Sequence, residues 1–202
     1  GGKVTFNAIG GTGRLGLGWM GEQENEWGYQ GVLDLSGFLA DSRNLTFASL
    51  EAIGIKRKFV GEDGEIRMQI GAFYKELPEV VPNQSTNSFS NTRVSYLGPR
   101  AGIEYWKPIS RRFGLQLNAH VYLSLLKAST PNGEPIQPSM SQQFGFLGSY
   151  RVNHRFTGLA GISQRTDRIS YRAATSQVAP DGGVNSTTVN GTYINFFAEY
   201  SF

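Results

Sequence analysis

The chain has 202 residues, 39% hydrophobic content, a formal net charge of +3 and no cysteine. The length suits one large domain or one barrel, and the missing cysteines exclude a disulfide framework and any thiolate metal site. The basic residues are dispersed rather than gathered into a stripe, which argues against nucleic acid as a partner. No apolar run exceeds three residues, so no helix of ~20 apolar residues can cross a membrane. That does not exclude a membrane barrel, in which lipid-facing and lumen-facing residues alternate and the hydropathy signal is weak. Twenty-six glycines, thirteen phenylalanines, nine tyrosines and three tryptophans suit strands and tight turns. The chain opens Gly1-Gly2-Lys3 with no visible signal peptide, and it is expected to begin after a cleavage point or to come from a longer protein.

The whole length reads as strands with alternating faces. Val4, Phe6 and Ala8 alternate with Thr5 and Asn7, and Gly10-Gly11-Thr12-Gly13 reads as a turn. Leu15, Leu17 and Trp19 follow, alternating with Gly16, Gly18 and Met20. After polar residues 21–26, Leu33, Leu35, Gly37 and Leu39 oppose Asp34, Ser36 and Phe38. Residues 45–59 form a strand of ambiguous phase; if Ala48, Leu50 and Ala52 face out, Glu51 faces in. Gly61-Glu62-Asp63-Gly64 is a hairpin signal. Ile66, Met68, Ile70, Ala72 and Tyr74 then oppose Arg67, Gln69, Gly71, Phe73 and Lys75.

Residues 78–91 read as a polar loop. Leu97, Pro99, Ala101, Ile103 and Tyr105 then oppose Gly98, Arg100, Gly102, Glu104 and Trp106. After a short turn, the cleanest apolar stripe in the chain runs Phe113, Leu115, Leu117, Ala119, Val121, Leu123 and Leu125. Gln116, Asn118, His120, Tyr122 and Ser124 face the other way. Residues 128–140 read as a loop, 143–151 and 156–172 as strands around a tight turn near Asn153-His154, and 173–187 as a loop before the last strand.

The connections alternate between short (60–64, 107–112, 153–155) and long (78–91, 128–140, 173–187), and aromatic residues gather at the short ends. Trp19, Trp27, Trp106, Phe113 and Phe156 form the expected girdle, with Phe59, Tyr150, Tyr200 and Phe202 near it. Short turns on one side, long loops on the other and aromatic girdles are features of outer-membrane barrels. At the end of the chain, Ile194, Phe196, Ala198, Tyr200 and Phe202 make one apolar face and Phe202 closes it. This ending resembles the final strand of bacterial outer-membrane β-barrels of Gram-negative cells. The resemblance implies that Tyr200 and Phe202 serve as an assembly signal read by the barrel-assembly machinery. It implies an outer-membrane location with the carboxy terminus periplasmic, and surroundings of outer-membrane lipid and lipopolysaccharide, in some cases within a larger envelope complex.

The expected fold is therefore an all-β, antiparallel, up-and-down transmembrane β-barrel forming a single domain over 1–202. Parity favours ten strands, with eight plus an N-terminal extension or hairpin over 1–26 as the alternative. The expected lumen-facing charged set is Asp34, Glu51, Arg67, Lys75, Arg100, Glu104, His120, Arg151, Arg165 and Glu199, because a charge facing lipid costs ~2–4 kcal/mol for Arg or Lys at mid-depth. Such a set reads as ion pairs filling a narrow barrel or as the lining of a narrow, porin-like pore. Arg165, Arg168 and Arg172 are spaced over both faces, where they suit phosphates of lipopolysaccharide or ordinary pairing. No catalytic, cofactor or metal site is expected. His120 and His154 are the only histidines; a metal site needs three or four convergent ligands. His120, Tyr122 and Ser124 share a face and loosely resemble the His and Ser of outer-membrane lipid A deacylases. The Asp-x-His arrangement of ten-stranded outer-membrane proteases is absent. An anchor, an assembly component or a narrow pore is the leading expectation. A surface-loop binding protein, an outer-membrane enzyme and a soluble, lipocalin-like ligand-binding barrel with its apolar face inward are the alternatives.

Overall fold

The computed structural model describes residues 9–20, 24–40, 43–83, 88–129, 136–154, 156–172 and 184–200. They form one antiparallel sheet of eleven strand segments: β1 Ile9–Trp19, β2 Trp27–Ala40, β3 Arg43–Val60, β4 Gly64–Asn83, β5 Ser88–Pro108, β6 Phe113–Ser124, β7 Leu126–Ser129, β8 Ile136–Gln137, β9 Ser139–Arg151, β10 Phe156–Arg172 and β11 Val184–Tyr200. Only Pro138, which lacks an amide donor, separates β8 from β9. Counting those two as one gives ten antiparallel strands in a nearly closed, barrel-shaped sheet. β7 prolongs the line of β6 along β5 past a break at Leu125. The sheet therefore has nine positions, in the order β1-β2-β3-β4-β5-β6-β9-β10-β11. With every step antiparallel, β1 and β11 run in the same direction. No ladder joins them among the described residues, which leaves a seam between the two edges.

Sequence alternation becomes two chemically distinct surfaces. Leu35, Leu50, Ile70, Ile103, Leu117, Phe144, Phe146, Ile162 and Phe196 are exposed on the outer surface, while Asp34, Glu51, Gln69, Lys75, Arg100, Gln116, His120, Gln143, Ser163 and Asp167 are buried inside. The phase of β3 is settled with Glu51 inward and Leu50 outward. The hairpin at residues 61–63 joins β3 to β4 with Gly61 at φ 67°, a left-handed value that favours glycine. At the Asn153 turn, the Phe156 amide donates to Asn153 Oδ1 at 2.9 Å.

Three readings of the sequence are corrected. Residues 10–13 form no turn; they pair continuously with residues 35–38 inside β1, because glycines on an edge strand opposite extended partners accept ladder geometry. Residues 1–8, on which the first predicted strand falls, lie outside the described residues. Most of the predicted loop 78–91 belongs to β4 and β5, which pair from Pro78–Arg93 to Asn83–Ser88. The predicted loops 128–140 and 173–187 likewise give up residues to β7, β8, β9 and β11. Polarity on both faces removes the alternation there, but backbone pairing persists without an apolar face.

Tight coiling needs inward glycines. A Cβ at Gly71 would run into the Ala52 carbonyl oxygen, and one at Gly161 into that of Phe146. The side-chain-free positions let neighbouring strands curl toward the interior. Gly161→Val is expected to destabilise the folded barrel by ~1–3 kcal/mol through overpacking, measured by urea unfolding. Gly37→Val, where a Cβ meets nothing within 4 Å, is the control.

Candidate functional site: an ion-paired interior above a cavity

The interior has three levels. Toward the end of the barrel where β4 ends and β5 begins, Phe73, Leu77, Val94, Tyr96, Tyr122 and Ile169 pack into one buried cluster. They come from β4, β5, β6 and β10, so opposite walls meet there. Phe73 makes edge-on contacts with Tyr96 and Tyr122, with ring centroids 5.8 and 5.2 Å apart, a favoured aromatic geometry.

Below it lies a belt of charge. Glu51 is its acidic centre. Arg100 Nη1 approaches Glu51 Oε2 at 2.7 Å, Arg14 Nη2 approaches Oε1 at 3.5 Å, and the Tyr122 hydroxyl donates to Oε1 at 3.2 Å. Arg14 Nε also donates to Asp34 Oδ1 at 2.8 Å. Arg165 pairs with Asp167 at 2.9 Å and reaches Asp34 at 4.0 Å. Lys75 donates to Asp167 across the barrel; β4 and β10 stand on opposite sides of the sheet order. Lys75, Arg100 and Arg165 surround the Tyr122 ring at 5.0, 5.6 and 6.0 Å from its centroid, where its π-face attracts cations. The Arg100 and Glu51 side chains are 1% and 2% exposed. Charges so buried are tolerated only when paired, and the belt pairs each of them, although Glu51 Oε2, Arg100 Nε and Arg165 Nε make no hydrogen bond among the described residues.

The third level is a cavity of about 810 Å³ in the half of the barrel near the turns 61–63 and 109–112. His120 faces Glu104 there, Nε2 to Oε1 at 3.7 Å. Arg67 pairs with Glu65 at 2.6 Å and lies 3.9 Å from Glu104. Apolar Val32, Ile53 and Ile55 line one part of the wall, and Leu147 and Leu159 another.

Of the expected lumen set, Asp34, Glu51, Lys75, Arg100, His120, Arg67, Glu104 and Arg165 come together inside. Arg151 does not: it shares the inward phase of β9, but it sits at the strand's last position and is exposed, beyond the enclosed volume. The Glu199 and Tyr200 side chains and all of Phe202 lie outside the described residues. Trp19, Trp27, Phe113 and Phe156 are exposed on the outer surface at the short-turn end. Trp106 is corrected: it points inward, beneath the Arg67 guanidinium at 4.6 Å, since it shares the phase of Arg100 and Glu104. Arg168 faces outward and Arg165 inward.

The sequence reading missed Arg14, Asp167 and the central role of Tyr122. Arg14 precedes outward Leu15, and Asp167 lies two residues after Arg165, so strand phase alone could have added both. Among the described residues the Ser124 hydroxyl and the His120 ring nitrogens have no hydrogen-bond partner, so His120 and Ser124 are not bonded to each other, while the Tyr122 hydroxyl donates to Glu51. Among the described residues no group of His, Asp and Glu could hold a metal ion. These features define an antiparallel barrel with an apolar outer face and an ion-paired polar interior. The chain matches no family model, no curated protein and no solved structure.

Proposed function

We propose that this chain is an integral outer-membrane β-barrel serving as an anchor or assembly component, with an interior closed to free diffusion. One observation carries the reading. Strand phase puts no charged residue on the outer face between Lys56, Lys58 and Lys107 at one end and Glu76, Arg93 and Arg168 at the other, among the described residues. The seven outward positions of Phe113–Leu125 cover ~40 Å of strand, or ~30 Å of height at a typical tilt of ~40°. That matches a bilayer's hydrocarbon thickness. In water the same surface would be a very large exposed apolar patch, so a lipocalin-like soluble barrel with its apolar face inward is disfavoured.

The belt and the buried cluster favour an anchor over a pore, because side chains from opposite walls meet at both levels. The exposed Trp19, Trp27, Phe113 and Phe156 suit a headgroup-level girdle on the periplasmic side, where the carboxy terminus would lie. Arg168, at the opposite rim, suits lipopolysaccharide phosphate. Barrel-assembly machinery reading Tyr200 and Phe202, and a larger envelope complex, complete the proposed partners. Purified protein in planar bilayers is expected to give no conductance steps. Discrete steps of one size would replace the anchor by a pore.

A further inference from the structure

From the cavity and the seam together, we infer that the lower interior binds a single-chain amphiphile with a neutral, hydroxyl-bearing head, of the monoacylglycerol type, entering sideways between β1 and β11. The inference deepens the membrane reading and rests on it for the source of the ligand.

The cavity is not sealed from the outer face. Leu15 and Phe196, outward residues of the two edge strands, line it together with Glu51 and Gln69 from inside. Phe196 is 77% exposed. Among the described residues the wall is therefore open between β1 and β11, and outward Leu15 and Phe196 make the rim of that opening apolar. The volume of about 810 Å³ falls in the range of sites for one small ligand.

Its apolar residues lie toward the seam, beside polar Arg14, Ser163 and Asn195, and its back wall is polar. Val32, Ile53 and Ile55 on β2 and β3 flank the seam on one side, and Leu147 and Leu159 on β9 and β10 flank it on the other. Two facing apolar patches form a slot for one alkyl chain. The opposite wall, on β4, β5, β6 and β9, is polar: Gln69, Glu104, His120 and Gln143. There, Gln143 Oε1 and both ring nitrogens of His120 lack hydrogen-bond partners among the described residues, although the residues are only 8% and 4% exposed. A buried polar atom without a partner is costly. The Gln143 amide oxygen accepts, and a neutral imidazole offers one N–H donor and one acceptor nitrogen, so the wall calls for a head that both donates and accepts, as a hydroxyl does. The nearby charges have partners: Arg100 with Glu51, Arg67 with Glu65, and Glu104 with Arg67 at 3.9 Å and His120 at 3.7 Å. A neutral head fits that wall better than an anion.

The test uses the full chain folded in phosphatidylcholine vesicles, with a diazirine-bearing monoacylglycerol as probe and cross-links mapped by mass spectrometry. Adducts are expected on inward Ile53, Ile55 or Leu159 as well as on outward residues such as Leu117. Excess unlabelled monoolein should suppress the inward adducts roughly tenfold, as for a saturable site, and leave the outward ones. Leu147→Trp, which fills the slot, should do the same without competitor. Adducts confined to outward residues, or inward adducts that do not compete, would overturn the inference while leaving membrane insertion intact. Competable inward adducts in a chain that stays soluble without detergent would uphold the cavity and remove the membrane reading alone.

Discussion

Glu51→Leu is expected to destabilise the barrel by ~3–5 kcal/mol, because it removes one partner from a buried ion pair and leaves the other charged. Arg14 would keep Asp34 at 2.8 Å. Arg100 would keep the Gln69 amide oxygen, at 2.7 Å, and the Tyr122 ring, but no carboxylate among the described residues, with its side chain almost wholly enclosed. The Tyr122 hydroxyl would lose its acceptor as well. The cost is thus that of a stranded guanidinium more than of the lost contact. The double variant Glu51→Leu/Arg100→Leu should recover most of the loss, since removing both members of a buried pair is often close to neutral. Urea unfolding of the protein folded in lipid, with the double-mutant cycle evaluated from the midpoints, checks this. A single variant within ~1 kcal/mol of the parent would show that the belt is hydrated rather than enclosed.

Leu117→Arg is expected to cost ~2–4 kcal/mol in lipid, the depth-dependent penalty for a cation on the lipid face. Leu117 is the third of six outward positions on β6, pairs with Tyr105 on one side and Phe146 on the other, and is exposed at 48%. Asn118, one position along, faces the cavity, so Asn118→Arg should be milder. The pair of variants differs by a single step along the strand, so backbone propensity and net charge are matched. Equal tolerance at the two positions would mean that β6 does not face lipid.

The two faces were legible in the sequence because their chemistries differ and a strand repeats every two residues. Outward Leu33, Leu35, Ile70, Ile103 and Leu117 and inward Asp34, Lys75, Arg100 and His120 all follow from phase. Which inward charges meet was not legible. Lys75 and Asp167 are 92 residues apart, and their meeting depends on barrel curvature and strand stagger, which phase does not encode. The ends of strands were also hidden. Pro78 to Asn83 carry no alternation, yet they pair with β5 through the backbone. Trp106 shows the complementary error: an aromatic near a short turn was assigned to the girdle, although its own strand phase turned it inward. The cavity was the least legible feature, since it depends on a seam between β1 and β11 that only the sheet's closure geometry reveals.

The central claim is that this barrel lives in a bilayer with its apolar surface in lipid. The most direct measurement is electrophoretic mobility with and without boiling, on protein extracted from membranes with detergent and checked for β structure by circular dichroism. A lipid-facing barrel is predicted to resist dodecyl sulfate when unheated, to migrate faster in that compact form, and to shift to its full apparent mass on boiling. A chain that stays monomeric in detergent-free buffer and shows no heat-dependent shift would contradict the account.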